Sequence, residues 1–410
     1  MKARYNYRLY PSPGQKQALA RAFGCARVVF NDALAAREQA RREDQPFISD
    51  GDLMKRVITQ AKQTPERAWL AEVPNVVLQQ SVRDLFQAYR NFFKSLKGER
   101  KGAKMNPPRF KRRRSAQSIR FTRKDFKLRG PKVQLCKIGK IKIRWSRNLP
   151  SEPSSVTVKL DSAGRYFASF VCEVKPEPLP KNGKTVGVDL GLTTFATLST
   201  GEKIDAPKPL KKSLKRLRHL QRVMSRCQKG VKGKGRSKRY DVMRKRVAKL
   251  HARIADIRTD FPHKLSTRLI RENQSVVVED LNVLGMVKNR CLSRAISDMG
   301  WRQFRTLLGS KAQRYDREIV VVNRWEPTSQ RCSSCGELGG KKPLNVRKWT
   351  CLHCGAEHDR DINAAVNIAA VVARNAETLN ERGGGRKTTS VAASSEALTQ
   401  GEVRQLRLFG

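Results

Sequence analysis

The chain has 410 residues, a length typical of two to four domains. Its 86 lysines and arginines against 36 acidic residues give a formal net charge of +50, spread along the whole chain. Such an excess favours a polyanionic partner, and a long duplex or a folded RNA fits it better than a short oligonucleotide. A ribosome-associated or histone-like protein is the alternative that charge alone leaves open.

The sequence offers no membrane segment. It has no run of about 18 apolar residues, and its charged first residues are not followed by a signal-type apolar stretch. We therefore expect a cytoplasmic protein without a membrane partner. Only four of the nine cysteines cluster, which argues against a disulfide framework.

The first part of the chain alternates between strand and helix patterns. Residues 2–9 alternate polar and apolar side chains and predict a strand, and residues 11–40 predict a helix. A second helix is predicted through residues 81–98. Its aromatic stripe is interpreted as helical core, with base stacking as the alternative; the stripe comprises Phe86, Tyr89, Phe92 and Phe93.

A basic connector follows and leads into a strand-rich region. The connector ends in NPPRFKRRR, which is either a solvated charge run or a phosphate contact; the overall charge favours the latter. Residues 119–174 predict several short strands, typical of a small β-barrel that the strand at residues 2–9 would complete.

The second half of the chain begins, after a linker at residues 175–184, with three predicted strands in residues 185–206. Two very basic helices are then predicted, at residues 210–229 and 238–258, as an antiparallel pair joined by a Gly/Lys hinge. The remaining predicted elements are a buried strand at residues 274–281, a helix at 297–315 and a buried strand at 317–325. Beyond about residue 376 the composition predicts disorder.

Two C-x2-C pairs predict a structural zinc site. The first pair is Cys332 and Cys335, the second is Cys351 and Cys354, and fifteen residues separate the pairs. Each pair can aim two thiolates at one Zn²⁺ ion, and the duplication argues against a redox C-x-x-C. Four sulfur ligands leave no open position on the ion, so His353 and His358 are expected to be neighbours, not ligands.

Three acidic residues are candidates for a second metal site. Asp189 ends the predicted strand TVGVD, Glu279 ends SVVVE, and Asp361 starts the helix DINAAVNIAAVVA. Acids at two strand ends and one helix start can converge above a sheet, where carboxylate oxygens suit Mg²⁺ or Mn²⁺. Taken singly, Asp189 could be a turn residue, and Glu279 or Asp280 a strand-end cap.

The order of these elements is the pattern of the RNase H fold: a strand carrying the first acid, a glycine turn and two more strands. Gly187, Gly191 and the pair Ala364–Ala365 are expected to let strand and helix backbones approach closely. A two-metal site there would clamp the attacking and leaving oxygens of a phosphodiester. Asp359, just before Asp361, is expected to cap the helix.

At these residues the chain resembles the TnpB family, insertion-sequence-encoded proteins related to type V CRISPR effectors. The resemblance covers roughly residues 5–368. It is carried by RLYPSPGQKQAL, GCARVVFNDAL, NPPRFKRRR, GVDLGLTTFATLSTG, VVVEDLNVLGM and ISDMGW, and above all by CSSCG…RKWTCLHCGAEHDRDINAAVNI.

The resemblance implies an α+β multidomain fold. A helical recognition domain (residues 11–115) is inserted in a β-barrel wedge domain (residues 1–10 and 116–180). An RNase H-like (RuvC) nuclease domain follows (residues 181–325 and 356–375), with an inserted zinc ribbon (residues 326–355) and a disordered tail (residues 376–410).

The resemblance also implies an RNA-guided DNA endonuclease of a transposable element, which cuts double-stranded DNA beside a short adjacent motif. Its guide RNA derives from the element's end, and pairing reads the sequence. Carried over by motif, Asp189, Glu279 and Asp361 are the catalytic, Mg²⁺-binding acids. The four clustered cysteines hold zinc, and we expect a monomer with one RNA.

Two other functions remain open from the sequence. A DNA strand-transfer transposase with the same RNase H-like fold would carry a similar acid triad, so the triad does not discriminate between them. A nuclease-inactive RNA-guided repressor would lack at least one of the acids, and all three are present.

Overall fold

The computed structural model describes residues 1–100, 102–113, 116–227, 237–343 and 345–381, with side chains up to residue 372. These residues divide into two compact units, the first Met1–Val174 and the second beginning at Lys175. Both units combine helices and strands, so the chain is a mixed α/β protein. Most of the predicted Gly/Lys hinge at residues 230–238, and residues 382–410 of the predicted tail at residues 376–410, lie outside the described residues.

The first unit contains one seven-stranded antiparallel sheet. Its strands are β1 Lys2–Tyr10, β2 Gln117–Thr122, β3 Phe126–Arg129, β4 Lys132–Leu135, β5 Gly139–Arg144, β6 Ser155–Leu160 and β7 Tyr166–Glu173. Their order is β2-β6-β7-β1-β5-β4-β3, so β1 joins the later strands, which confirms that expectation. The described ladder ends at β2 and β3 and forms a curled half-barrel, which agrees in part with the small β-barrel predicted here.

Three helices lie between β1 and β2 in the chain: α1 Pro13–Arg42, α2 Asp50–Met54 and α3 Asn75–Leu96. Helix α1 begins at Pro13 because Ser12 forms a reciprocal capping box with Gln15. On α3, Phe86 is buried and Tyr89 packs against the core, whereas Phe93 is exposed. The core interpretation of the aromatic stripe is therefore confirmed for its first two members. Helices and sheet share one hydrophobic core.

The second unit is built on a five-stranded sheet. Its strands are β8 Thr185–Asp189, β9 Ala196–Leu198, β10 Lys203–Ile204, β11 Ser275–Glu279 and β12 Glu318–Val322. The order is β10-β9-β8-β11-β12; β8, β11 and β12 run parallel, and β9 and β10 run antiparallel to their neighbours. Because β8 and β11 are parallel neighbours, their carboxyl ends lie at the same edge of the sheet.

The described α-helices of this unit are α4 Pro209–Ser225, α5 Lys238–Glu272, α6 Val283–Met286, α7 Ser293–Met299, α8 Trp301–Tyr315 and α9 Arg360–Glu381. Helices α5 and α8 cover one face of the sheet and α9 covers the other. Successive strand residues face opposite sides, so Val276 and Val278 pack with α5 and α8, whereas Val277 packs with Ile368 of α9. Strand β11 is thus buried on both faces, as its unbroken apolar run indicates.

Several helix boundaries differ from the sequence prediction. Helix α5 continues past residue 258 to Glu272 through Pro262, because burial of Leu269 and Ile270 outweighs the hydrogen bond that proline lacks. The predicted helix at residues 297–315 is broken at Gly300, whose φ of 74° is left-handed. Helix α9 extends through residues 376–381, the first residues of the predicted tail.

The ISDMGW motif anchors the basic helix α4. The carboxylate of buried Asp298 accepts hydrogen bonds from the backbone N–H groups of Leu210 and Lys211, in the first turn of α4. Arg258 of α5 donates to the same carboxylate over 2.9 Å. Since Lys208, at the start of α4, provides no side-chain cap, Asp298 supplies the cap from another element.

None of the described helices combines the length and apolarity that crossing a bilayer requires.

Candidate functional site

Asp189 and Glu279 lie side by side at the carboxyl edge of the second unit's sheet. They follow the paired residues Val188 and Val278 in the parallel register of β8 and β11. Such an edge is where parallel α/β sheets place their ligand sites, because the loops diverge there and leave room above the strands.

Asp361 reaches this edge from α9. The helix packs against β8, and Gly187 makes this approach possible: a Cβ atom at residue 187 would lie 2.1 Å from the carbonyl oxygen of Ala365. Ala364 and Ala365 are buried, so the expected close approach is confirmed for these three residues. Gly191 differs, since a Cβ there would meet Thr194 of its own loop, at 3.0 Å.

The two aspartates of the HDRD segment have different surroundings. The Oδ1 atom of Asp359 accepts hydrogen bonds from the backbone N–H groups of Asp361 and Ile362, at 3.1 and 3.2 Å. Asp359 therefore caps α9, as predicted, and it also forms an ion pair with Lys203. Asp361 instead pairs with Arg347 over 3.3 Å.

The three acids interact electrostatically. Burial, and then the negative charges of Glu279 and Asp361, raise the pKa of Asp189 to about 7. Burial also raises the pKa of Glu279, against a hydrogen bond from Thr328 that favours the carboxylate. Both pKa shifts mean that the ionised carboxylates are unfavourable at these positions unless a cation is close by.

This donor set fits Mg²⁺ or Mn²⁺. Three carboxylates provide hard oxygen ligands, and their mutual repulsion is what a divalent ion would relieve. Among the described residues, their oxygens do not gather as tightly as the sulfur atoms of the cysteine cluster. Water molecules and phosphate oxygens commonly complete such a magnesium site.

The structure separates Glu279 from its neighbour Asp280. Asp280 forms ion pairs with Arg305 of α8, at 2.7 Å, and with Arg324. Hydrogen bonds from these two guanidinium groups lower the pKa of Asp280. Asp280 is thus a structural acid, and Glu279 is the one next to Asp189. A cleft of about 260 Å³ opens beside Glu279, with Arg302, Arg305 and Arg324 in its lining.

The four cysteines of the C-x2-C pairs form one cluster. Their sulfur atoms all lie within 4.8 Å of one another, a spacing that fits a single tetrahedral Zn²⁺ ion. Gly336 and Gly355 follow the two pairs with φ angles of 82° and 69°, which confirms the permissive turns predicted there. A two-stranded hairpin, β13 Lys348–Thr350 and β14 Glu357–Asp359, carries the second pair.

The histidines stand outside the four-sulfur set. His353 is exposed. The Nε2 atom of His358 lies 3.0 Å from the sulfur of Cys332, and its ring packs on Trp349. His358 is therefore a polar neighbour of the cluster, as expected.

Sequence reasoning missed several residues that contact the acids. Thr328 binds Glu279, and Arg347 pairs with Asp361. Asn363 and Asn367 of α9 are almost completely buried and bind the backbone before the first cysteine pair. Two asparagines four residues apart, within an otherwise apolar helical segment, are the one signal that could have indicated these contacts.

Comparison with known proteins places these features in a family. Three family models match: "Probable transposase" of the IS605 OrfB type over residues 169–290, "Cas12f1-like, TNB domain" over residues 301–368, and an IS605 OrfB "Helix-turn-helix domain" over residues 1–46. In this chain, residues 1–46 contain β1 and one long helix, α1.

Two curated relatives cover most of the chain. A "Putative RNA-guided DNA endonuclease" of Streptomyces pristinaespiralis is 46% identical over 374 residues, covering 90% of this chain and 89% of that protein. The "Putative RNA-guided DNA endonuclease InsQ" of Escherichia coli (strain K12) is 31% identical, covering 89% and 91%. A solved structure of the mini-RNA-guided endonuclease CRISPR-Cas_phi3 aligns with a TM-score of 0.46 at 11% identity, covering 90% and 92%.

The fold and the site define a mixed α/β protein with a carboxylate cluster at a sheet edge and a four-cysteine cluster beside it in sequence. The relatives identify its kind: the chain belongs to the TnpB family of IS605-type elements.

Proposed function

We propose that the chain is an RNA-guided DNA endonuclease of a transposable element, which hydrolyses double-stranded target DNA beside a short adjacent motif. The observation that carries this proposal is the convergence of Asp189, Glu279 and Asp361 at one sheet edge. The two relatives, covered over 89% and 91% of their length, carry the name "Putative RNA-guided DNA endonuclease". In this proposal the second unit is the RNase H-like (RuvC) nuclease with its zinc ribbon. The first unit holds the recognition helices and the wedge sheet.

In this proposal the three acids hold the metal ion. Mg²⁺, when bound, would activate the attacking water and neutralise charge on the phosphate and the leaving oxygen. The backbones of Asp189 and Glu279 are held in fixed positions because each residue ends a strand buried in the sheet. Asp361 is fixed by the packing of α9 on Gly187. Reaction adds water across one P–O bond of the DNA backbone.

The basic helices provide the RNA contact in this proposal. Helix α4 carries six lysines and arginines and no acidic residue. A cleft of about 330 Å³ lies between α4 and α5, and its lining is Arg216, Leu220, Arg246, Lys249, Leu250 and Arg253. Clustered cations over an apolar floor suit the phosphates of a folded RNA. We infer one guide RNA, derived from the element's end, on a monomeric protein.

The test starts from purified protein. The RNA that copurifies is sequenced, and the complex is then offered plasmids with a guide-matched target and a randomised flank, in Mg²⁺. We expect one defined RNA and cutting beside a short motif; absence of both would overturn the proposal. Joined products instead of hydrolysed ends would indicate strand transfer.

Substitutions of the acids locate the chemistry. Asp189→Ala and Asp361→Ala should bind guide RNA and target DNA while leaving the DNA uncut. Full cleavage by either variant would remove that residue from the active site.

A further inference from the structure

We propose that Thr328 is a positioning residue for Glu279, and that Asn363 and Asn367 hold the segment carrying Thr328. Through this segment the four-cysteine cluster is coupled to the carboxylate site. The inference rests on the proposed function in one respect, since it treats Glu279 as a metal ligand.

The first contact is between Thr328 and Glu279. The Thr328 hydroxyl donates a hydrogen bond of 2.9 Å to the Oε1 atom of Glu279. Thr328 is buried, with 6% of its surface exposed, so the bond lies away from competing water. A glutamate carboxylate otherwise rotates about its last side-chain bond; this hydrogen bond restricts that rotation. Partners of this kind commonly orient metal-binding side chains.

The second set of contacts holds Thr328 itself. The side-chain amide of Asn367 donates to the carbonyl oxygens of Thr328 and Arg331, at 2.9 and 2.7 Å. Asn363 donates to the same Arg331 oxygen at 2.8 Å and accepts from the backbone N–H of Ser333 at 2.9 Å. Both asparagines are 2–3% exposed, so these bonds satisfy polar groups that water does not reach.

The hydrogen bonds of Asn363 and Asn367 connect Asp361 with Glu279. Asn363 and Asn367 lie on the first turns of α9, the helix whose first turn also carries Asp361. A shift of α9 would therefore move Asp361 and, through Thr328, the carboxylate of Glu279. The two acids keep their relative position because one helix controls both.

The same segment leads directly into the cysteine cluster. Ser333, which binds Asn363, lies between the cysteines of the first pair, and Cys332 is fully buried. Zinc binding by the cysteines would fix this turn from one side, while α9 fixes it from the other. Loss of zinc should therefore weaken the Thr328 contact, although zinc itself does no chemistry.

The test compares Thr328→Val with Thr328→Ser. Valine keeps the shape of threonine and removes the hydroxyl; serine keeps the hydroxyl. Mn²⁺ binding to the zinc-loaded, RNA-free full chain is followed by electron paramagnetic resonance, with Asp189→Ala as the blank for this site. We expect about tenfold weaker Mn²⁺ binding in Thr328→Val and near-normal binding in Thr328→Ser. In the guided complex, Thr328→Val should need about tenfold more Mg²⁺ for half-maximal cleavage, with DNA binding unchanged.

Thr306→Val is the matched control. Thr306 is exposed on α8 of the same unit, and its hydroxyl donates a hydrogen bond to its own helix backbone, at Arg302. This variant should bind Mn²⁺ and cleave like the original chain. Equal Mn²⁺ affinity in Thr328→Val and the original chain would overturn the inference, whatever the cleavage result.

A double variant tests the linkage to α9. Asn367→Ala should weaken Mn²⁺ binding in the same direction, and adding Thr328→Val to it should have little further effect, because both act through one contact. Fully additive effects would overturn the linkage. Guided cleavage that fails in the original chain while Thr328→Val still weakens Mn²⁺ binding would reject the proposed function and keep this inference. No Mn²⁺ binding by the original chain would reject both.

Discussion

The burial of Asp189 beside two other acids destabilises the folded protein. Its carboxylate is held between two other acids at the end of a buried strand, and its pKa rises to about 7. In the unfolded chain the same group has a pKa of about 3.9. The folded state therefore binds more protons than the unfolded state between these two values.

The sign of the pH effect follows from that difference. Without Mg²⁺, the contribution of Asp189 to the free energy of unfolding is most favourable below about pH 4. It is lost as the pH rises through about 7. Asp189→Asn should therefore stabilise the Mg²⁺-free protein, on the order of 2 kcal/mol at about pH 8 and less at about pH 5. Thermal unfolding of the zinc-loaded protein at both pH values measures this. A variant less stable than the original chain at about pH 8 would contradict it.

Asp359 and Asp361 are two residues apart, but substitution of Asp359 should lower stability, whereas substitution of Asp361 should abolish cleavage. Asp359→Ala removes the cap of α9 and should lower the free energy of unfolding by about 1 kcal/mol, with guided cleavage retained. Asp359→Ser, which can still cap, is the control and should restore most of the stability. Denaturant unfolding and a plasmid cleavage assay distinguish the two roles. If Asp359→Asn abolished cleavage while Asp361→Asn did not, the assignment would be reversed.

Among the helices and strands, the contact between β8 and α9 sets the geometry of the carboxylate site. Gly187 faces the helix at the point where the backbone of Ala365 passes closest. The residues on either side, Val186 and Val188, face the opposite side and pack into the core formed with α5 and α8. One residue without a side chain thus sets the distance between Asp189 and the helix carrying Asp361.

Gly187→Ala should displace α9. The added methyl group would overlap the backbone of Ala365 and Ala369, so the helix must move; such overpacking typically costs about 1–3 kcal/mol. We expect lower thermal stability and strongly reduced cleavage, with RNA binding unchanged. Gly309→Ala is the matched control: it lies in α8 with open space around it, and alanine favours helix there. Equal stability of the two variants would show that β8 and α9 can separate without loss.

The large positive charge of the whole molecule determines which partners it needs. The 36 acidic residues cannot balance the 86 lysines and arginines, which leaves a net charge of +50, and several of the acids are already paired with arginine or lysine. The described helices of the second unit concentrate part of this charge on α4 and α5. Without a polyanion the chain repels itself.

The affinity of the protein for its RNA should consequently fall steeply with salt. If about six to ten phosphates are neutralised, binding should weaken about 10³- to 10⁵-fold between 50 mM and 200 mM salt. Filter binding over this range measures the slope. Lys249→Ala should reduce the slope by about one unit if this lysine contacts phosphate. Lys264→Ala is the control, because Lys264 already pairs with Asp260. A flat salt dependence would contradict a phosphate-based interface.

Much of the architecture follows from local sequence patterns. The unbroken apolar runs before Asp189 and Glu279 predict buried strands, and the structure has them as β8 and β11. The paired cysteines predict their own cluster, because C-x2-C spacing is a local geometric constraint. Asp359 is predicted as a cap since capping involves only the next three residues.

Contacts between elements distant in sequence are what local patterns missed. Nothing near Pro262 predicts that α5 continues, because its burial against the sheet is a tertiary effect. The described sheet ends at β2 and β3 as a half-barrel, and the pairing of these end strands depends on the whole sheet. Thr328, Arg347 and Asn367 look like ordinary polar residues until folding brings them to Glu279, Asp361 and the turn before Cys332.

By itself, the sequence determined the candidate acids, the four cysteines, the basic character and the family, because residue type and spacing carry that information directly. The folded structure adds which residues contact these acids: Thr328 binds Glu279, whereas two arginines pair with its neighbour Asp280. Burial and hydrogen bonding set these contacts. They depend on side chains that are far apart along the chain and meet only when α9, β8 and β11 are packed together.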